Sequence, residues 1–130
     1  ELWLQLAGGS GQLLSLEVKS RQVHIPSFRN GIARISFSEL CGQPLGAADY
    51  LALTSEIKVL MLDDIPSLSR DNSSEAKRFV TLIDTVYEAH IGFIASAAAP
   101  PEQLYLEGIG SFEFERTASR LREMQSNDWN

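Results

Sequence analysis

Near the middle of this 130-residue chain the run VLMLDDIP (59–66) sets two adjacent carboxylates, Asp63 and Asp64, after four apolar residues and ahead of a proline. Open α/β sheets bind ligands at the carboxyl ends of their strands, and acids placed there can hold a metal on a phosphate. That chemistry needs a second part, a loop of the form G-x-x-x-x-G-K-[ST] whose amides and lysine neutralise the phosphates. The chain contains no such loop. Its GGSGQLLS (8–15) has glycines without the lysine and reads as a flexible turn. The plainer expectation for Asp63 and Asp64 is a solvated strand end, with Asp64 preparing the turn before Pro66.

Toward the C-terminus Arg116 and Arg120 stand one helical turn apart, so they share a face and oppose an isolated helix by about 0.2–0.5 kcal/mol. Something acidic should face them. Glu113 and Glu123, each three residues from one of the arginines, can supply it within the helix. The sharper reading is an anion site that takes a carboxylate or a nucleotide phosphate from another segment or subunit. Arg78, opposite the apolar stripe of its own helix, joins the pair as a weaker member. His24 and His90 have no evident acid–base partner. Cys41 lies in no nucleophile motif and is expected to be a buried thiol. No metal is expected, because a metal enzyme built on Asp63, Asp64 and a histidine lacks ligand spacing.

Positioning these groups requires a folded core, and 44% hydrophobic with 22% charged residues falls in the globular range. A net charge of -6 argues against a surface that neutralises nucleic-acid phosphates or adheres to anionic lipid. The longest apolar run, IGFIASAAAPP, is shorter than the roughly 20 residues that cross a bilayer. No nucleic-acid partner and no membrane insertion are expected. The first residue, Glu1, is not a methionine, and ELWLQL reads as the middle of a strand, so the chain is expected to be a fragment of a longer protein.

Along the chain, GGSGQ (8–12) marks a turn, LLSLEV and RQVHIP form a hairpin around Lys19-Ser20, and Asn30-Gly31 turns into the strand IARISF (32–37). SELCGQPLG (38–46) reads as a broken turn region, GAADYLALTSE as a short helix, and 57–62 as a strand. Asn72 and Glu75 have the spacing of a capping box. Behind them Ala76, Phe79, Val80, Ile83 and Tyr87 form a helical stripe. IGFIAS (91–96) suits a strand covered on both faces, PEQLY a helical turn, and 114–125 a last helix with Phe114, Ala118, Leu121 and Met124 inward. The expected fold is a single α/β domain over 1–130, a short mainly parallel sheet with crossover helices extended by an N-terminal antiparallel hairpin.

Four longer stretches, FSELCGQPLGAADYLAL (37–53), EAKRFVTLIDTVYEAH (75–90), SAAAPPEQLY (96–105) and FEFERTASRLREMQS (112–126), resemble the C-terminal region of the AFG-type ATPases. This P-loop family includes bacterial cell-division and mitochondrial members, and the resemblance runs from about Arg21 to Trp129. It implies a P-loop-NTPase-like C-terminal fragment without the Walker A segment, whose full-length protein binds and hydrolyses ATP with magnesium. No cofactor is implied for the fragment itself. VLMLDDIP and IGFIASAAAPPEQLY are similar in form to Walker B and sensor segments, but Ala97, Ala98 and Ala99 stand where a sensor would present a polar side chain. The resemblance implies that Arg78, Arg116 and Arg120 contact nucleotide, a neighbouring subunit or the upstream core. Lys77 replaces an arginine that relatives often carry and lacks its bidentate fork. Further implied partners are a homo-oligomer and a protein client or division partner. The implied location is cytoplasmic in a bacterium, mitochondrial in a eukaryote. A non-catalytic protein-interaction module is the alternative.

Overall fold

The computed structural model describes residues 12–18, 21–104 and 111–124. The turn expected at 8–12 and the strand at 1–6 fall almost wholly outside them, as do the side chains of His24 and Glu113.

Three strands, β1 (Gln12–Val18), β2 (Arg21–Arg29) and β3 (Ile32–Ser36), run antiparallel in succession. Asn30 (φ 54°) and Gly31 (φ 80°) join β2 to β3. Positive φ at both central residues is the geometry whose twist matches flanking strands, which is why Asn-Gly was a legible turn signal. From β3 the sheet becomes parallel, through β4 (Val59–Ile65) to β5 (Gly92–Ala97), in the order β1-β2-β3-β4-β5. The antiparallel part is thus a three-strand meander, sharing β3 with the parallel part.

Helices fill the crossovers. Between β3 and β4 lie α1 (Phe37–Cys41) and α2 (Ala47–Glu56), and between β4 and β5 lies α3 (Ser73–Ala89). After β5 come the single turn α4 (Pro101–Leu104) and α5 (Ser111–Met124). Sequential strand order with right-handed crossovers sends the crossover helices to one side. The burial pattern agrees: Ala33, Ile35, Leu60 and Leu62 join the helices in one core, whereas Ile32 and Met61 pack with Val59 and Ile94 in a small separate cluster. Phe79 sits at the centre of the main core, its ring centroid 5.9 Å from Phe37 and 6.2 Å from Phe114.

Local details differ from the sequence expectation at three places. The stretch expected as a broken turn begins with α1, because Ser36 and Glu39 form a capping box: the Glu39 N–H donates to Ser36 Oγ at 3.2 Å and Glu39 Oε1 accepts from the Ser36 backbone. The box expected at Asn72 and Glu75 lies one turn earlier, where Asn72 Oδ1 accepts from the Ser69 N–H at 2.8 Å. Strand β4 continues beyond residue 62 through both aspartates to Ile65. The stripes on α3 and α5 stand as expected, with Ala76, Phe79, Ile83, Phe114, Ala118, Leu121 and Met124 buried. Among the described residues no helix is long and apolar enough to cross a membrane.

Candidate functional site

At the carboxyl end of β4 the two aspartates have separate surroundings. Asp63 accepts a hydrogen bond from Arg34 Nε of β3 at 2.8 Å, with both side chains about one-third exposed (30% and 34%). Its charge is matched inside the sheet. Asp64 is exposed and left-handed (φ 62°), and its N–H donates to Ser96 Oγ at 2.8 Å where the β4–β5 register shifts between Leu62 and Ile65. An aspartate tolerates this conformation better than most residues, which suits it to a strand-end irregularity. Among the described residues no group of three or more His, Cys, Asp or Glu is placed to hold a metal ion.

The arginines form the more organised polar cluster. Helix α5 lies along α3, and the carboxylate of Asp84 receives both guanidinium groups: Arg120 Nη1 donates to Oδ1 and Arg116 Nη2 to Oδ2, the latter at 3.1 Å. The Arg120 guanidinium also lies over the Tyr87 ring, 4.6 Å from its centroid. The Tyr87 hydroxyl donates in turn to Glu123 Oε2 at 2.8 Å, a bond that raises the pKa of the phenol. Of the two acids that spacing offered within α5, Glu123 is therefore engaged with Tyr87. The anion seat between the arginines is filled by a carboxylate from another segment of the same chain. The two arginines are not equivalent, since 55% of the Arg116 side chain is exposed against 23% for Arg120.

Sequence reasoning did not single out Asp84. The repulsion between Arg116 and Arg120 required an acid opposite them, but α3 carries Glu75, Asp84 and Glu88, and only the helix crossing selects among these.

Arg78 lies apart from this cluster. Its Nη1 donates to the Cys41 carbonyl at 3.0 Å, satisfying one of the acceptors that the end of α1 leaves without an intrahelical donor. Tyr50 performs the same service next to it, donating to the Leu40 carbonyl at 3.0 Å. Cys41 is fully buried there, and burial pushes its thiol up to about 12. The thiol stays protonated and inert at neutral pH. His90 caps the C-terminus of α3 in the left-handed conformation, its backbone N–H donating to the Tyr87 carbonyl at 3.2 Å.

Three comparisons give this arrangement its context. The family model described as AFG1-like ATPase matches residues 1–130. The cell division protein ZapE of Escherichia coli K12 is 38% identical over 130 residues, covering 99% of this chain and 35% of ZapE. Lactation elevated protein 1 homolog B of Danio rerio is 31% identical over 146 residues, covering 88% of this chain and 29% of that protein. The chain thus spans about a third of the length of the curated relatives it matches. No solved structure matches it. With the whole sequence matched by one family model, and with the α/β architecture of sheet and crossover helices in place, this chain belongs to the AFG1-like ATPase family.

Proposed function

We propose that this chain is the C-terminal part of an ATPase that binds and hydrolyses ATP with magnesium through residues outside these 130. Its own task is to complete the enzyme structurally. The observation that carries this reading is the family match over the full length of a sequence that has no G-x-x-x-x-G-K-[ST] loop. The name of the 38% identical relative supports a cell-division role for the whole protein; a bacterial cytoplasm is the location that belongs to the same proposal. A protein client or division partner, and self-assembly, belong to the same proposal.

Within this part, Arg120 and Arg78 act as internal braces, the first joining α5 to α3 and the second joining α3 to the end of α1. A second reading is favoured for Arg116 by its exposure: it turns from Asp84 toward a nucleotide or a neighbouring subunit in the assembled enzyme. ATP turnover by the whole protein separates the two roles. Arg120→Ala and Asp84→Ala should lower stability together and leave the turnover of the folded fraction within about threefold of the parent, a barrier change of under about 0.7 kcal/mol. Loss of turnover in Arg120→Ala, with Asp84→Ala unaffected, would assign Arg120 to the chemistry. A selective tenfold or greater loss in Arg116→Ala would support the second reading.

A further inference from the structure

Strand β5 is the last in the sheet among the described residues, and its sequence GFIASA has none of the usual guards of an open edge. It carries no charge and no proline, the devices by which proteins keep such an edge from pairing. The direction of its free backbone groups follows from the ladder. The Gly92 N–H donates to the Lys58 carbonyl at 2.9 Å, so Gly92 and Ile94 turn their amides toward β4, while Phe93 and Ala95, one residue out of phase, turn theirs outward.

Beside this edge lies a groove of about 450 Å³ between β5 and α5, with walls that include Phe93, Ala95, Ala97, Pro100, Leu121 and Met124. Every described side chain lining it is apolar. A small-molecule site normally adds a few convergent polar side chains to orient its ligand, and among the described residues this groove has none. An extended peptide needs no such groups, because the strand edge orients it through its backbone and the groove receives alternate side chains.

We propose that an extended segment from elsewhere in the same protein pairs with the outer edge of β5 as a further strand, placing every second, apolar side chain in the groove. The proposal rests on the reading that this chain is one part of a longer family member. Two observations select this occupant over a separate partner. The chain corresponds to only 35% of the length of ZapE, so a comparable whole protein has ample chain to supply the strand. The uncharged groove offers no electrostatic steering to a peptide arriving from solution, whereas a tethered segment reaches it at an effective concentration of order millimolar.

The test is hydrogen–deuterium exchange at residue resolution on the whole protein. The amides of Phe93 and Ala95 are expected to exchange at least about a hundredfold more slowly than unprotected amides, as Ile94 does, at every protein concentration. Free exchange at Phe93 and Ala95 with Ile94 still protected overturns the proposal. Protection that grows with protein concentration also overturns it, by assigning the strand to a second copy. Ala95→Pro removes one outward amide without removing a bond to β4. It should speed exchange at Phe93 at least tenfold while Leu60 and Leu62 stay protected; an unchanged Phe93 points to general burial and also overturns the pairing. Failure of the family-member reading is separately visible, as a gene with no coding sequence beyond this segment.

Discussion

Asp84 holds two arginines at once, and replacing it tests whether the α3–α5 seam is a brace. The Arg120–Asp84 pair is 23% and 31% exposed, so it is more shielded than the surface pairs that contribute about 0.2–1 kcal/mol. One charge-assisted hydrogen bond is worth about 1.5 kcal/mol net, and the stacking of Arg120 on Tyr87 adds about 0.5–1 kcal/mol. Arg120→Ala should therefore cost about 2 kcal/mol. Asp84→Ala should cost a similar amount, about 2 kcal/mol, because it breaks both bonds and leaves two cations one turn apart. The double variant should lose about 3 kcal/mol rather than the sum, a coupling of about 1 kcal/mol. Arg116→Ala, with 55% of its side chain in solvent, should cost under about 0.5 kcal/mol. Urea unfolding of the four variants and the parent supplies these values from midpoint shifts at constant slope. A coupling below about 0.3 kcal/mol between positions 84 and 120 would refute the brace.

Four further substitutions probe other parts of the structure. Phe79→Ala opens a cavity between the Phe37 and Phe114 rings and should cost about 3–5 kcal/mol, whereas Leu51→Ala, at a side chain 61% exposed, should stay within about 0.5 kcal/mol in the same unfolding assay. Burial raises the Cys41 thiol from 9.0 to about 12, so the folded chain keeps a proton that the unfolded chain releases. The contribution is intact below pH 9 and is lost toward pH 12, at no more than about 1.4 kcal/mol per pH unit, and Cys41→Ala should flatten that alkaline decline when melting is followed from pH 8 to 11. Asp64→Gly should leave stability within about 0.5 kcal/mol, since glycine's ease at φ 62° is offset by its greater freedom in the unfolded chain; a loss of ATP turnover in the whole protein would show that the carboxylate acts in the chemistry.

The elements that could be read from the sequence are those whose signal is local. Asn30-Gly31 demands positive φ, the period of Phe79, Ile83 and their neighbours demands a helix, and the apolar IGFIAS demands a strand, although β5 lies at the sheet edge among the described residues, with Ala95, Ser96 and Ala97 exposed rather than covered on both faces. Helix α1 was missed because its Ser36–Glu39 box is short and the glycine and proline that follow dominate the local composition. The left-handed turn at Asp64 could not be read either, since it arises where the β4–β5 ladder slips a register and Ser96 meets the freed amide. The polar site behaved the same way. Spacing showed that Arg116 and Arg120 share a face and need an acid, but the choice of Asp84 belongs to the packing of α5 on α3. Likewise Arg78 gave no sign that its partner is a backbone carbonyl at the end of α1, 37 residues earlier.

Calorimetric titration with Mg-ATP, run in parallel on the 130-residue chain and on the whole protein from which it derives, tests most directly whether nucleotide is gripped elsewhere. Binding by the whole protein with no saturable heat from the chain at micromolar concentrations is the expected result. A saturable isotherm from the chain alone would contradict it.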